Sequence, residues 1–161
     1  MLDKFKEIQH FVFDVDGVLT NGSLLLDPTS GQLLRSMNTR DGYALQLAVK
    51  KGFEIIIITG GKSSMVEDRL KGLGIKEVHL GVHEKKTLLE SLSNRIDLNK
   101  TLYMGDDIPD LEAMQLCGIP SAPADACSEI LSVAQYVSPK NGGQGCVRDV
   151  IEKVMKLQGK W

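Results

Sequence analysis

Asp14 and Asp16 are the residues whose types and spacing point most directly to chemistry. They close the apolar run FVFDV and are followed by Gly17. Side chains two residues apart lie on the same side of an extended backbone, so the two carboxyl groups should be close together. Carboxylates held this close repel each other, and a cation relieves the repulsion. Taken alone, DVDG also suits a turn that ends a strand, and that interpretation stays open at this point.

A second acidic cluster favours the chemical interpretation. The sequence GDDIPD places Asp106 and Asp107 after the apolar run TLYM, with Asp110 a helical turn later. These oxygen ligands suit Mg²⁺, which binds a few carboxylates and keeps water or substrate phosphate in its other positions. Asp107 and Asp110 could instead cap a helix N-terminus and compensate its dipole. If the fold brings the two clusters to one edge, they predict a magnesium site.

Three residues between the clusters could bind an anion. Thr59 and Gly60 end the most apolar segment, FEIIIIT, and would offer a hydroxyl and a backbone N–H where a helix begins. Lys85 starts a later amphipathic segment and would bring a positive charge to the same place. Each feature alone also fits an ordinary turn or a solvated lysine. A net charge of −2 gives no general attraction to nucleic acid, so an anion must be held by such a local site.

An alternation of apolar runs and amphipathic segments predicts the elements that position these residues. The predicted strands are 11–15, 53–59, 77–81, 101–106 and 119–122. The predicted helices are 41–51, 63–73, 84–96, 108–116 and 126–134, with a final amphipathic helix in the tail, about 140–161. Short joins between alternating strands and helices indicate an α/β fold with a Rossmann-like, doubly wound parallel sheet. Ligands bind such a sheet beyond the carboxyl ends of its strands.

Residues 21–37 interrupt this alternation. Two leucine-rich stretches flank the turn DPTSG, which predicts a β-hairpin flap after the first strand. No repeat or linker divides the sequence, so residues 1–161 are expected to form one domain. No apolar run is long enough to span a bilayer, and no membrane partner is expected. Cys117, Cys127 and Cys146 lack the spacing of a zinc or redox site and are expected to be reduced thiols.

The ordered set DxDGxxT, TG, K and GDDxxD resembles the haloacid dehalogenase phosphatase superfamily. This resemblance runs from about Phe11 to Asp110. The stretches TRDGYALQLAVKKG and GGQGCVRDV extend it to the small branch without a cap domain that includes the 3-deoxy-D-manno-octulosonate (KDO) 8-phosphate phosphatases. Related phosphatases act on 2-keto-3-deoxy-nonulosonate 9-phosphate or N-acylneuraminate 9-phosphate, so the identity of the sugar acid stays open. The resemblance implies a Mg²⁺-dependent phosphatase with an aspartyl-phosphate intermediate.

The resemblance also implies catalytic roles. Asp14 would attack phosphorus, and Asp16 would protonate the leaving alcohol and later deprotonate the hydrolytic water. Thr59 would bind a phosphoryl oxygen, and Lys85 would stabilise the charge. The presence of Asp16 favours a phosphatase over a dehalogenase, because a halide leaving group needs no acid.

A metal site and its supporting residues follow from the same resemblance. Mg²⁺ would lie between Asp14, the backbone carbonyl of Asp16 and Asp106. Asp107 would position Lys85 or a metal-bound water, and Asp110 is a further supporting residue.

Substrate recognition is expected around the same strand ends. The candidate residues are Thr20, Arg40, Gly60, Gly61 and Arg148. Arg40 and Arg148 could pair with the sugar carboxylate through a planar guanidinium, although each could form a structural ion pair instead. Gly61 departs from several similar sugar-acid phosphatases, which carry arginine or glutamate there. His83 lies near the same edge and could touch the substrate.

The resemblance further implies a cytoplasmic homotetramer in which hairpins and tails cover neighbouring sites. Leu24, Leu25, Leu26, Leu33 and Leu34 would expose apolar surface in a monomer, which supports this expectation, although they could pack within the chain.

Two other classes of protein remain as alternatives. A bacterial receiver domain uses similar residue types, but its phosphorylated aspartate ends the third strand, and here that strand ends in Gly81. A non-catalytic assembly module could keep the fold without the activity.

Overall fold

The computed structural model describes residues 1–161 as a central sheet with helices on both faces. Its strands are β1 (His10–Phe13), β2 (Leu25–Leu26), β3 (Leu33–Leu34), β4 (Glu54–Ile58), β5 (Glu77–His79), β6 (Thr101–Met104), β7 (Ile119–Ala122) and β8 (Tyr136–Val137). Its helices are α1 (Leu2–Glu7), α2 (Thr39–Lys50), α3 (Ser64–Gly72), α4 (Lys85–Leu92), α5 (Leu111–Met114), α6 (Ser128–Val133) and α7 (Cys146–Leu157). Short 3₁₀ turns cover Leu98–Lys100 and Ile108–Asp110.

The central sheet is parallel and doubly wound, as the sequence predicts. Its strand order is β5-β4-β1-β6-β7-β8, and every neighbouring pair is parallel. The chain builds outward from β1 to β5 on one side and from β6 to β8 on the other. The order therefore reverses between β1 and β6, and the crevice beyond their carboxyl ends is where ligands bind such a sheet.

Alternate strand residues supply the two sides of the core. Phe11 and Phe13 pack into the cluster that includes α1, α2, α3 and α7, whereas Val12 faces the cluster that includes α4, α5 and α6. In β4, Ile55 and Ile56 divide in the same way. Because both faces of each central strand are covered, these strands are almost wholly apolar. The polar residues that follow them are held at the rim of a rigid sheet.

Several predicted elements are shorter than the sequence patterns indicate. The helix predicted over 84–96 ends at Leu92, where Ser93 and Asn94 favour turns over helix. The helix predicted over 108–116 begins as a 3₁₀ turn and becomes α-helical only at Leu111–Met114. Helix α1 and the two-residue strand β8 have no counterpart among the predicted elements.

The leucine-rich segment after β1 forms a separate two-stranded antiparallel ladder. Leu25 pairs with Leu34 and Leu26 with Leu33. The turn between them is closed by the Asp27 carboxylate, which accepts a hydrogen bond from the Thr29 N–H at 3.0 Å. Leu25 and Leu26 are 67% and 69% exposed, so this chain alone does not bury them.

Two further findings concern membrane-spanning helices and the cysteines. None of the helices has both the length and the apolar character that crossing a membrane requires. The three cysteines are free thiols, two of them buried.

Candidate active site

The loop after β1 carries the first acidic cluster. Asp14 leaves the strand in an extended conformation, and its N–H donates to the carbonyl of Met104 on the neighbouring strand at 3.2 Å. Gly17 then takes a φ of +87°, a conformation that favours glycine. The hydroxyl of Thr20 accepts hydrogen bonds from the N–H groups of Gly17 at 3.3 Å and Gly22 at 3.2 Å. Thr20 is fully buried, holds the loop together and does not line the cleft described below, so its contact with a substrate stays a prediction.

Asp106 lies directly against this loop. A Cβ on Gly17 would come within 1.9 Å of the Oδ2 atom of Asp106, so only glycine lets the carboxylate approach so closely. The ligand oxygens of Asp14, Asp106 and Asp110 all lie within 4.8 Å of one another. The two acidic clusters thus meet at one edge of the sheet.

Lys85 and Asp110 form a buried network beneath Asp14. The Nζ atom of Lys85 is 2.9 Å from Asp14 Oδ1 and 2.8 Å from Asp110 Oδ1. The Tyr103 hydroxyl also donates to Asp110 Oδ1, at 2.9 Å, and the Asp106 N–H donates to Asp110 Oδ2 at 3.1 Å. Asp110 is therefore saturated by protein donors and is poorly placed to bind a metal.

Asp107 does not make the contact with Lys85 that one of its two predicted roles requires. Its carboxylate accepts a hydrogen bond from the Ile108 N–H at 2.8 Å and forms a capping box with Asp110. Lys85 is paired with Asp14 and Asp110, so Asp110 replaces Asp107 as the residue that positions the lysine. The alternative, in which Asp107 orients a metal-bound water, stays a prediction.

Burial and mutual repulsion set the electrostatics of the site. Desolvation, together with the nearby Asp110 carboxylate, raises the pKa of Asp14 above its ordinary value, although Lys85 opposes the shift. Desolvation and the charges of Asp14 and Asp110 likewise raise the pKa of Asp106. Burial alone would lower the pKa of Lys85, but Asp14 and Asp110 outweigh it, so the pKa of the lysine is raised and the lysine is charged.

These carboxylates fit a divalent cation. Asp14, Asp106 and Asp110 share a single lysine, Lys85, so an excess of negative charge remains and the carboxylates repel one another. A hard cation bound by carboxylate oxygen would relieve that repulsion. The carboxylates of Asp14 and Asp106 suit Mg²⁺, which needs few protein ligands.

A cleft of about 420 Å³ opens above these groups. Its lining includes most of the predicted residues, namely Asp14, Asp16, Thr59, Gly60, Gly61, His83, Lys85, Asp106, Asp107 and Asp110. The hydroxyl of Thr59 accepts a hydrogen bond from the Gly61 N–H at 3.2 Å. Acidic, basic and hydroxyl groups from four separate segments of the sequence are therefore brought together in one open cleft.

Arg40 and Arg148 lie elsewhere. Both line a separate polar groove between the N-terminal ends of α2 and α7. The Arg148 Nε donates to Glu152 at 3.1 Å, and its guanidinium lies 5.2 Å from the ring centroid of Trp161. Within one chain neither arginine lines the cleft, and Arg148 makes the structural ion pair that was its alternative.

The glycine-rich segment before α7 packs on the loop after β1. The Gly143 N–H donates to the carbonyl of Val18 at 2.9 Å. A Cβ on Gly142 would lie 1.9 Å from the carbonyl oxygen of Gly17. This segment therefore supports the loop that carries Asp16.

Sequence patterns miss two residues of the site. Arg35 directly follows β3 of the hairpin. It makes two hydrogen bonds to Asp16, from Nε to Oδ1 at 2.6 Å and from Nη2 to Oδ2 at 3.2 Å. Tyr103, buried in β6, donates to Asp110. A polar aromatic residue in an otherwise aliphatic strand beside GDDIPD is a usable signal for Tyr103. Arg35 lies outside every motif, and no local pattern marks it.

Comparison with known proteins assigns the chain to a family. No protein-family model matches the sequence. It is 35% identical over 162 residues to the 3-deoxy-D-manno-octulosonate 8-phosphate phosphatase KdsC of Salmonella typhi. The aligned region covers 99% of this chain and 86% of that protein. The chain belongs to the KDO 8-phosphate phosphatase family of the haloacid dehalogenase superfamily. The resemblance read from the motifs is confirmed, and the receiver-domain alternative is excluded.

Solved structures of the family agree with this fold. The Moraxella catarrhalis KDO 8-phosphate phosphatase, in complex with magnesium, phosphate and KDO, matches with a TM-score of 0.93 at 36% identity over 98% of this chain and 91% of that chain. The cobalt-bound Haemophilus influenzae enzyme matches with a TM-score of 0.91 at 32% identity over 98% and 92% of the two chains. Like these KDO 8-phosphate phosphatases, the chain is a sheet-and-helix core without a cap.

Proposed function

We propose that this chain is a Mg²⁺-dependent phosphatase that hydrolyses KDO 8-phosphate to KDO and inorganic phosphate. The observation that carries the proposal is the buried Asp14 carboxylate at the switch point of the sheet, paired with Lys85 and adjacent to Asp106. Family membership supplies the substrate class. The site supplies the groups that the chemistry needs.

Asp14 would act as the nucleophile. One of its oxygens forms a bond to phosphorus while the bond between phosphorus and the sugar oxygen breaks. Lys85 holds Oδ1 of Asp14 at 2.9 Å and so fixes the carboxylate for attack. The Thr59 hydroxyl and the N–H of Gly60 would bind phosphoryl oxygens at the turn after β4.

Asp16 would move the protons. In the first step it gives its proton to the departing sugar oxygen, and in the second it takes a proton from water. The oxygen of that water attacks phosphorus, the bond between phosphorus and Asp14 breaks, and inorganic phosphate leaves. Both aspartates return to their starting states.

Asp14, Asp106 and the carbonyl of Asp16 would hold Mg²⁺. When bound, the cation supplies the positive charge that lets an anionic phosphate approach two carboxylates. Asp110 would contribute by keeping Lys85 in place, and Asp107 by orienting a water.

The substrate-binding assignments divide between the cleft and a neighbouring subunit. Gly60 and Gly61 line the cleft and would contact the substrate directly. Arg40 and Arg148 lie outside the cleft of their own chain, so they would act on a substrate only across an interface. The exposed hairpin leucines support a homotetramer of this kind. Each chain would form a single domain, and the enzyme would work in the cytoplasm.

A related sugar acid is a second candidate substrate. Gly61 presents no side chain to the cleft, and similar sugar-acid phosphatases carry arginine or glutamate there. The nonulosonate 9-phosphate and the N-acylneuraminate 9-phosphate would then be used in place of the octulosonate.

Phosphate release from a panel of esters tests the proposal. We expect KDO 8-phosphate to be hydrolysed with a much higher kcat/KM than the two nine-carbon acids or neutral sugar phosphates. EDTA and the Asp14→Asn substitution should each abolish the activity. Equal slow release from every ester would reject the sugar-acid assignment, and no release from any ester would favour a non-catalytic assembly module.

A further inference from the structure

Arg35 is a charged hairpin residue that the proposed mechanism does not use. It follows β3 and reaches back to the loop after β1, 19 residues earlier in the sequence. Its side chain is only 7% exposed, whereas the side chain of its partner Asp16 is 35% exposed. A nearly buried arginine on an otherwise exposed hairpin is held there by specific contacts, because an unpaired buried charge is costly.

The contact between Arg35 and Asp16 is asymmetric. Arg35 Nε is 2.6 Å from Asp16 Oδ1, and Nη2 is 3.2 Å from Oδ2. The remaining terminal nitrogen donates to the carbonyl of Leu33 at 3.2 Å, which ties the guanidinium to its own hairpin. Oδ1 is therefore held tightly by a fixed donor, while Oδ2 is held loosely.

The loosely held oxygen faces the phosphate-binding turn. A Cβ on Gly61 would lie 3.6 Å from Asp16 Oδ2, 3.6 Å from the Thr59 hydroxyl and 3.0 Å from Arg35 Nη2. Oδ2 thus lies beside the turn where the proposed mechanism places the phosphoryl group, and Arg35 occupies the space that a side chain at position 61 would need. Glycine at that position allows the arginine to reach Asp16.

We propose that Arg35 is a positioning residue for the proton-transfer aspartate, holding Asp16 Oδ1 so that Oδ2 faces the departing sugar oxygen. This inference rests on the proposed phosphatase function. A protonated carboxyl group still has one oxygen that can accept from a guanidinium, so the Nε contact to Oδ1 persists while Oδ2 carries the proton. As the bond from phosphorus to the sugar oxygen breaks, that proton passes to the oxygen. A proton donor helps only when it is held within hydrogen-bond reach of the atom that it protonates.

The dependence of the rate on the leaving group separates this role from a structural one. A sugar alkoxide needs a proton in order to leave, whereas p-nitrophenolate does not. We expect Arg35→Ala to lower kcat/KM for KDO 8-phosphate by roughly 10- to 100-fold, part of the effect that general acid catalysis provides. The value for p-nitrophenyl phosphate should change by less than about threefold, because its leaving group gains little from an acid. The ratio of the two losses does not depend on how much of the variant is folded.

Three comparisons complete the experiment. Arg35→Lys keeps one charged donor and should recover part of the loss for KDO 8-phosphate. Gln32→Ala changes a neighbouring hairpin residue with no contact to Asp16 and should leave both substrates unaffected. Mannose 6-phosphate, which has an alkoxide leaving group but no carboxylate, should lose as large a factor as KDO 8-phosphate in Arg35→Ala.

The outcomes distinguish the alternatives. Equal losses for p-nitrophenyl phosphate and KDO 8-phosphate, or no loss for either, would overturn the positioning role. A loss confined to KDO 8-phosphate, with mannose 6-phosphate spared, would overturn it in favour of direct binding of the sugar carboxylate by Arg35. If the wild-type protein releases no phosphate from any ester, the proposed function fails and this inference fails with it.

Discussion

Asp110 collects four donors in the interior of the protein. Lys85, the Tyr103 hydroxyl and the N–H groups of Asp106 and Asp107 all reach its carboxylate. The carboxylate is 1% exposed, so these contacts must balance the cost of burying its charge. The same residue thus closes a capping box and fixes the lysine that holds Asp14.

Tyr103→Phe should destabilise the protein. The substitution removes one donor from a buried carboxylate, and we expect the free energy of unfolding to fall by about 1.5–3 kcal/mol, as for a hydrogen bond to a charged group. Urea unfolding measures the change. Tyr136→Phe is the matched control, since its hydroxyl also donates to a carboxylate, Asp149, but at a more exposed site, and it should cost less. A larger loss in Tyr136→Phe would contradict the importance of the Asp110 network.

Mg²⁺ should stabilise the protein more strongly as the pH rises. Burial, joined by carboxylate repulsion, raises the pKa of Asp14 from 3.8 to about 7 and the pKa of Asp106 from 3.8 to about 8. A raised pKa in the folded state gives stability that is complete below the unfolded pKa and is lost as the pH rises through the folded pKa. In the metal-free protein these two carboxyl groups therefore become destabilising between about pH 4 and about pH 8. In the same range they become able to bind a cation.

Thermal unfolding at pH 5 and pH 8, with and without Mg²⁺, measures this effect. At pH 8, Mg²⁺ at a hundredfold excess over its Kd should add about 2.7 kcal/mol, with a smaller gain at pH 5. Asp106→Asn should abolish the difference. An equal gain at both pH values would contradict the assignment of these carboxylates as the metal ligands.

Sequence analysis finds the acidic, hydroxyl and lysine residues that line the cleft, and misses Arg35 and Tyr103, which contact Asp16 and Asp110. Asp14, Asp16, Thr59 and Lys85 follow strands or begin helices, so the rule for parallel sheets brings them together. Arg35 reaches Asp16 only because the hairpin folds back over the loop, a tertiary arrangement that no local pattern encodes.

At the scale of elements, the loop that carries Asp16 is fixed from two sides. The Thr20 hydroxyl binds it from within, and the glycine-rich segment before α7 packs against it. The last helix of the chain therefore helps to hold the loop that carries the proposed proton-transfer residue, Asp16. Its apolar face, with Val150, Ile151 and Val154 fully buried, anchors that segment to the core.

Gly142→Ala should impair both stability and activity. A Cβ at this position would lie 1.9 Å from the Gly17 carbonyl oxygen, and the backbone would have to shift. We expect a loss of about 1–3 kcal/mol, as for other overpacked sites, with a lower kcat for KDO 8-phosphate. Unfolding and phosphate-release measurements on the same samples test this.

Gly72→Ala is the matched control. This glycine lies in α3 without a positive φ and with nothing near its missing Cβ, so alanine should raise stability by about 0.5–1 kcal/mol. If Gly142→Ala behaves like Gly72→Ala, the packing of the tail on the loop contributes neither to stability nor to activity, and the prediction is contradicted.

Element boundaries follow the sequence less closely than element order. The structure contains the predicted strands in the predicted order and a doubly wound sheet. The sequence predicts these features well because its apolar runs are well separated by amphipathic segments. Strand β8 has only two residues and helix α1 only six, so neither gives a periodic signal strong enough to recognise.

At the scale of the whole molecule, the exposed hairpin is the most conspicuous unexplained surface. Leu25 and Leu26 are more than 60% exposed, and Leu24 and Leu33 more than 40%. Contiguous apolar surface of this kind marks an interaction site. The expectation that these leucines could instead pack within the chain does not hold for Leu24, Leu25, Leu26 and Leu33.

The double substitution Leu25→Ser and Leu26→Ser should weaken self-association. If hairpins join subunits, replacing two apolar side chains removes roughly 1.5–3 kcal/mol of burial for each. Light scattering after gel filtration should show a shift from tetramer to smaller species. Leu131→Ser, at an exposed leucine on α6, is the control and should leave the mass unchanged. A wild-type protein that is monomeric at micromolar concentration would contradict the proposed assembly.

The most direct test of the account is to trap the phosphoenzyme. Asp16→Ala should still accept a phosphoryl group from p-nitrophenyl phosphate, whose leaving group needs no acid, but should hydrolyse the intermediate slowly because no base activates the water. Acid quenching and peptide mass spectrometry should then find one phosphoryl group on the peptide that contains Asp14. Steady phosphate release from an unmodified Asp14, or a phosphoryl group on another residue, would contradict the nucleophilic role of Asp14.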